Sequence, residues 1–574
     1  MMKTAGANLA ASAAFRAARD FLLQTGDPVA AHAGFRWPEL HQFNWARDWF
    51  DVVAAEHGDR CALVVCAPDG DVEADFASLA RRSDQLAAWM QQQGMQRGER
   101  VLVLMRNSIA LYEVLLAGIK LGLVLIPSYV TISAAECADR VQRGGIKHLI
   151  AEAALLERLA QLPPLHCRIV AQGTAPGWLS LDDSRHAPFT YDPGEPTLAH
   201  DLLFGYFTSG TTSLPKLALH THTSYPVGHL SGMYWNGVTP GSVHLNVSNP
   251  GWAKHAWSSF FVPWNAQSTI VVLDAAEIRP QFILDVLQRR AVNSCCAPTT
   301  VWRMLQQHGM GARPAALRQL NSAGEPLQPV LFDAIKQAWG LEVRDGYGQS
   351  EATCLVGNAP GLPIKIGAMG LPMPGYQVVL LDQSGALVAG EGEGEVCLDL
   401  RQGKPCGLMH GYDEQTTNKR GVVDGAFYHT GDFAKRDADG YITFIGRIDD
   451  VFKSFDYRIS PFELERVMLA HPAIVELAIV PSPDPLGLVV PKAFICTHPD
   501  WYPGEETALD IARWMCEHLP PEFRIRRICF VETLPKTASG KVRRAELRDK
   551  EGKRGLPIAA LDDEYLVDEL LAQN

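Results

Sequence analysis

The chain has 574 residues, too many for one hydrophobic core, so two or more domains are expected. Hydrophobic residues at 47% and charged residues at 20% exclude a disordered chain. Lys and Arg number 52 against 64 Asp and Glu, and the formal charge of −12 argues against non-specific nucleic-acid binding or a polybasic membrane contact.

The Ala-rich residues 7–18 read as a helix or a frayed terminus. The first fifteen residues lack the sustained apolar run of a secretory signal. They also lack acids, which keeps an organelle matrix open beside the cytoplasm as the compartment. Among 12 Cys there is an adjacent pair, Cys295-Cys296, but no C-x-x-C and no metal-ligand spacing, as expected of a reduced, cytoplasmic protein. Trp37, Trp45 and Trp49 fall in an aromatic-rich segment read as core packing. Residues 62–65 read as a strand, 76–93 as an amphipathic helix and 101–105 as a buried strand. The apolar window 101–127 is interrupted by Arg106, Asn107, Glu113 and Lys120, so it reads as strand–helix–strand and not as a membrane span. Residues 149–151 and 169–171 repeat the alternation, which argues for α/β layers with a largely parallel sheet.

Leu202-Leu203-Phe204-Gly205-Tyr206-Phe207 reads as a strand running into Thr208-Ser209-Gly210-Thr211-Thr212-Ser213-Leu214-Pro215-Lys216. Hydroxyls, backbone N–H groups and one ammonium suit a polyphosphate, although Walker spacing is absent. His220 and His222 have no carboxylate or Cys at ligand spacing, so packing or hydrogen bonding is expected of them. A strand at 272–274, a helix at 280–290 and Cys295-Cys296 continue the α/β pattern, followed by a turn at Gly324-Glu325-Pro326. In Asp345-Gly346-Tyr347-Gly348-Gln349-Ser350-Glu351 a ring between two glycines can stack on a purine. Ser350 can donate to a phosphate oxygen, and Glu351 offers a hard oxygen ligand for Mg²⁺. A β-rich stretch begins near residue 394 and reads as a small barrel-like subdomain. It ends in Tyr428-His429-Thr430-Gly431-Asp432, where an Asp in a tight turn can accept both ribose hydroxyls. The remainder reads as a small α+β domain. A helix opens at Pro461, strands occupy 475–480 and 492–496, a helix spans 507–518, and the last twenty residues form an acidic amphipathic tail.

In this order the strings resemble the adenylate-forming (AMP-binding) superfamily, and within it medium-chain acyl-CoA synthetases and carboxylic acid–CoA ligases. The nonapeptide resembles T-S-G-T-T-G-x-P-K, with Ser213 where the family has Gly. Residues 345–351 resemble Y-G-x-T-E, with Ser350 for Thr. Gly446-Arg447-Ile448-Asp449-Asp450 resembles the G-R-x-D-D hinge, and residues 535–541 resemble P-K-T-x-[ST]-G-K. The resemblance implies a large N-terminal domain of α/β layers over 1–448 and a small mobile C-terminal domain over 449–574, with Asp449 as hinge. ATP and AMP would be bound by Thr208, Ser209, Gly210, Thr211, Thr212, Ser213, Lys216, Gly324, Glu325, Pro326, Asp345, Gly346, Tyr347, Gly348, Gln349, Ser350, Asp432, Arg447, Arg458 and Lys541. The catalytic set would be Lys541, Glu351, Ser350 and Lys216, with Mg²⁺ on Glu351.

The implied chemistry is attack of a carboxylate on the α-phosphorus of ATP, then displacement of AMP by the thiol of CoA. Trp252, Lys254, His255 and Gly348 would border the acyl pocket. Acetate-type enzymes carry Trp where this chain has Gly348, so acids larger than acetate are expected: medium-chain, branched or aromatic. CoA would meet Phe455, Asp456, Tyr457, Arg526 and Arg527. Two departures touch this half of the reaction: Phe455-Asp456-Tyr457-Arg458 replaces S-G-Y-R, and Gly487 replaces an Arg. A stand-alone enzyme loading a carrier protein, or a catalytically silent nucleotide-binding regulator, are the alternatives. No nucleic acid and no membrane span are expected, and a homo-oligomer is compatible with the sequence.

Overall fold

Short apolar runs with no polar face need cover on both sides, and helices packed on two large sheets help supply it here. The computed structural model describes residues 2–208, 215–275, 277–416, 423–455, 457–485, 487–537, 540–554 and 563–573. It divides into two units. The first joins Met1–Thr208, Pro215–Val378 and Leu398–Tyr428; the second holds Val379–Cys397 and His429–Asn574.

In the first unit a nine-stranded sheet runs in the order Leu371–Pro372, Cys354–Gly357, Val343–Gly348, Gln319–Ala323, Ser294–Ala297, Val243–Asn246, Thr269–Leu273, Cys61–Ala67, Gly70–Asp75. Its inner strands are parallel and its edges antiparallel. The helix Pro280–Arg289 begins on Pro and buries Ile283, Val286 and Leu287, one stripe at helical spacing, against this sheet's core. A second sheet of eight strands is parallel from Leu202–Thr208 through Val124–Pro127, Arg100–Leu104, His148–Ala151 and Cys167–Val170 to Leu179–Ser180. Lys216–Thr221 and Gly411–Tyr412 are added antiparallel at its other edge.

Strand Arg100–Leu104, helix Ile109–Leu121 and strand Val124–Pro127 occupy the apolar window as expected. Its charges are paired within the fold. Lys120, 0% exposed, lies 2.8 Å from Asp51 and 2.6 Å from Asp84, and Glu113 meets Arg82. Helix starts are capped locally: Asp75 accepts from the Ser78 N–H, and Ser133 with Glu136 closes a capping box. Trp45 and Trp49 are fully buried, and no helix among the described residues is long and apolar enough to cross a membrane.

The second unit contains two sheets of four. The β-rich stretch forms Val378–Leu381, Gly392–Asp399, Phe427–Arg436 and Ile442–Arg447, open at both edges among the described residues rather than closed into a barrel. It groups with the C-terminal segment, whereas the sequence assigned it to the large domain. The other sheet is Ile474–Asp484, Leu488–Thr497, Arg527–Phe530 and Glu564–Leu566. Its last strand corrects the reading of the C-terminus as an acidic tail. Glu564 and Glu551 enclose the ammonium of Lys492 at 2.9 and 2.6 Å, the side chains being 2%, 2% and 0% exposed. Arg554 bonds both carboxylates, so four charges satisfy one another inside the unit.

Candidate active site

The strands Leu202–Thr208 and Lys216–Thr221 form a hairpin with Thr208 opposite Lys216. Its tip, with Ser209, Gly210, Thr211, Thr212 and Ser213, lies outside the described residues. Lys216 and Ala218 share a face of the hairpin, and Tyr412 pairs with Ala218 from the next strand. That register brings the Tyr412 ring to 5.0 Å from the Lys216 ammonium. At its other end the Tyr412 hydroxyl donates to Glu351 Oε1 at 2.6 Å. A cation and a carboxylate are thus held in one row with an aromatic ring between them. The sequence reading missed Tyr412, because a tyrosine 61 residues beyond Glu351 has no spacing that marks it.

The backbone that carries Glu351 is fixed from behind. His220 is fully buried, and burial pushes its pKa down to about 3, so the ring is neutral. Its Nε2–H donates to the Ser350 carbonyl at 2.7 Å, and its Nδ1 accepts from the Ser224 hydroxyl at 3.2 Å. This is the hydrogen-bonding role expected of His220. The Met409 N–H donates to the Glu351 carbonyl, and Tyr428 donates to the Gln349 side chain at 2.9 Å.

The Gly-Glu-Pro turn and the 345–351 segment leave the carboxyl ends of adjacent parallel strands, Gln319–Ala323 and Val343–Gly348, with Ala323 opposite Gly346. Crevices at such strand ends are where open α/β sheets bind nucleotides. Gly324 sits at φ +110°, with open space where a Cβ would stand. Asp345 ties turn to strand, accepting from the Leu327 N–H at 3.1 Å and the Gly346 N–H at 2.9 Å. Burial pushes its carboxyl up to about 7, against those bonds and the charge of Lys254. Gly346 has no room for a side chain, since a Cβ would lie 2.4 Å from the Trp235 ring.

On the expected acyl side Trp252 precedes the short helix Ala253–Ala256, and the Lys254 ammonium donates to the Ala323 carbonyl at 3.0 Å. His255 is 2% exposed and donates from Nε2 to Asn107 at 2.9 Å, beside Tyr112. Burial holds its pKa near about 3, so it is a neutral, anchored core residue and not an open pocket wall. A Cβ on Gly348 would lie 2.2 Å from the Thr353 carbonyl and 2.5 Å from the Trp257 ring. Gly348 alone therefore does not set the room beside it. Trp257, which no motif marked, occupies the space the glycine leaves.

In the second unit Asp432 stands opposite Arg447, whose guanidinium reaches it at 3.0 Å and the Thr430 carbonyl at 3.1 Å. Gly431 (φ +71°) allows this approach, because a Cβ there would be 2.9 Å from the guanidinium. Arg458 stacks over Phe433, 3.6 Å from the ring centre. The Asp449 carbonyl accepts from Arg548, while neighbouring Asp450 is buried between Arg548 and Arg544. Lys541 closes a small backbone loop with Thr537, and its exposed ammonium has no ion pair among the described residues.

The two departures in the thiol half belong together. Phe455 sits at φ +47°, and its ring covers Gly487, where a Cβ would be 2.7 Å away. Asp456 lies outside the described residues. Tyr457 is half exposed beside Phe523. Arg526 and Arg527 are sequence neighbours entering a strand and find different partners. Arg526 meets exposed Asp568 at 3.0 Å, while the mostly buried Arg527 lies 3.7 Å from Asp484.

Residues 50–413 match the sequence profile of the AMP-binding enzyme family, and residues 463–541 match that of the AMP-binding enzyme C-terminal domain. The chain is 36% identical to 4-hydroxybutyrate–CoA ligase 1 of Metallosphaera sedula, over 92% of this chain and 94% of that one. It is 35% identical to the mitochondrial acyl-coenzyme A synthetase ACSM3 of Mus musculus, over 80% of each. Among solved structures, the anthranilate CoA ligase AuaEII in complex with anthranoyl-AMP aligns with a TM-score of 0.80 at 27% identity, covering 89% of this chain and 98% of that one.

Proposed function

The chain belongs to the AMP-binding enzyme family and is an AMP-forming acid–thiol ligase, and from that premise we propose how its residues divide the work and which acids it takes. The first half-reaction sets one anion against another. A carboxylate is already ionised at neutral pH, so no general base is needed. What the site has to supply is positive charge and ordered donors around the phosphates. The row of Lys216, Tyr412 and Glu351 is the observation that carries the reading. Lys216 supplies charge to the departing pyrophosphate. Glu351 keeps one oxygen beyond the Tyr412 bond, a hard donor that with phosphate oxygens suits Mg²⁺. When bound, that ion adds to the charge neutralisation of the pyrophosphate. Gly324 to Pro326 and Tyr347 take the adenine, Asp432 the ribose, and Arg447 and Arg458 the nucleotide. Lys541 acts on the α-phosphate in adenylation and not in thiol transfer, with Asp449 as the hinge between the two steps.

The proposed substrate is an acid larger than acetate, of medium-chain, branched or aromatic type. Gly348 in place of a Trp supports it, and Trp257 trims it. CoA is the proposed thiol. The lid of Phe455 over Gly487 favours a second reading, because Gly487 stands where the family carries an Arg in the thiol half of the reaction. A pantetheine arm borne by a carrier protein would not need that cation. A panel of acids scored by pyrophosphate release, with and without CoA, tests both. Acyl-CoA production supports the first reading; pyrophosphate release with no acyl-CoA would hand the acceptor to a carrier. No pyrophosphate with any acid would overturn catalysis itself.

A further inference from the structure

Three ligating side chains converge at the start of two parallel strands of the eight-stranded sheet, sharing no residue with the nucleotide motifs. His148 opens the strand His148–Ala151 and stands directly opposite Cys167, which opens Cys167–Val170. The two side chains therefore leave the same face of the sheet. His166 precedes Cys167, with its Nδ1 at 3.7 Å from Cys167 Sγ and its ring centre 5.2 Å from that of His148. Taking one ligand atom from each residue, all three lie within 4.8 Å of one another.

The surroundings suit a metal ion. His148 is 0% exposed, and its Nε2–H donates to Glu99 at 2.8 Å. That bond fixes the tautomer and leaves the lone pair on Nδ1, an atom that is buried and has no hydrogen-bond partner among the described residues. A carboxylate hydrogen-bonded behind a ligating imidazole is usual at metal sites, since it orients the ring and raises its basicity. The Cys167 thiol now donates to the Gln93 carbonyl at 3.5 Å, and Gln93 caps the C-terminal, negative end of the helix Phe76–Gln92. Lys147, whose charge reaches His148, is engaged by Glu99 at 2.8 Å.

We propose that His148, His166 and Cys167 form a Zn²⁺ site. Two imidazoles and a thiolate are a borderline-soft donor set that suits Zn²⁺ and disfavours Mg²⁺. The Cys167 thiol proton passes to solvent as the S–Zn bond forms.

The test is a Co²⁺ titration of the chelator-treated full chain, followed by Zn²⁺ displacement, with far-ultraviolet circular dichroism to confirm folding. A thiolate-to-cobalt charge-transfer band is expected, lost in Cys167→Ser and displaced by Zn²⁺. Affinity should fall about tenfold or more in His166→Gln, and by about 10–100-fold in Glu99→Gln, which removes only the positioning carboxylate. Cys397→Ser, in the separate grouping of Glu395, Cys397 and His429, should leave the band intact. Absence of the band in the wild type, or a band that survives Cys167→Ser and disappears in Cys397→Ser, overturns the proposal. If Cys167→Ser does not fold, the exposed His166→Gln decides, and unchanged affinity there overturns it equally.

Discussion

Replacing Tyr412 by Phe removes one hydroxyl and leaves the ring beneath Lys216 in place. The lost bond is the 2.6 Å contact to Glu351 Oε1, short because its acceptor is a carboxylate. Hydrogen bonds to charged groups contribute about 1.5–3 kcal/mol. Glu351 is only partly buried, so water can replace the hydroxyl and the lower end applies. At about 1.4 kcal/mol per decade, adenylation should slow about tenfold. The half-saturating Mg²⁺ concentration should rise with it, because the freed carboxylate has more orientations open to it. Tyr412→Leu, which also removes the ring, should lose a further factor of about 2–5 from the missing cation–π contact of roughly 0.5–1 kcal/mol. The assay is pyrophosphate release across a Mg²⁺ series, with conversion of supplied acyl-adenylate as an internal control that should hardly move. A folded Tyr412→Phe enzyme with wild-type pyrophosphate release and Mg²⁺ dependence would refute the argument that this row organises the phosphate site.

The other expectations are briefer. Lys541→Ala should slow adenylation by about 100- to 1000-fold while thiolysis of supplied acyl-adenylate continues; equal loss of both would remove the two-step assignment. Trp257→Ala should shift the acid panel toward bulkier substrates, because this ring fills the space beside Gly348; an unchanged preference would put the specificity wall elsewhere. The Glu564 carboxyl is pushed up by burial, but bonds from Arg554 and Lys492 win and hold it at about 2, below its unexceptional 4.5. A depressed carboxylate stabilises the fold fully above 4.5, and the contribution fades as pH falls toward 2. Glu564→Gln should therefore flatten the pH dependence of the denaturant midpoint across that window, and a slope identical to the wild type would contradict the network.

The layered α/β fold was legible because inner strands such as 62–65, 101–105 and 149–151 are short apolar runs alternating with helical stretches. The window around residue 101 resolves into strand, helix and strand as its interrupting charges implied, and those charges pair inside the fold. Motif strings marked the turns at 324–326 and 345–351, which leave the ends of adjacent parallel strands. Three things had no local signal. Tyr412 acts through a strand register set far from Glu351 in the chain. Trp257 reaches Gly348 across the fold, so a size argument from the glycine alone could not weigh it. Glu564 sits among acids that read as solvated until the buried Lys492 and Arg554 are placed beside it.

That last contact bears on how the protein is made. Strand Arg527–Phe530 pairs on one side with Leu488–Thr497 and on the other with Glu564–Leu566. Until the latter emerges from the ribosome, Lys492 faces an unfinished cage, and a buried cation short of a partner costs about 3–5 kcal/mol. At about 5–20 residues per second, the stretch from Lys492 to Glu564 takes several seconds to synthesise. Throughout that interval the nascent second unit stands half-built, exposing a sheet edge that chaperones or misfolding can claim. A pulse-chase with protease should find this unit becoming resistant last, in step with delivery of Glu564.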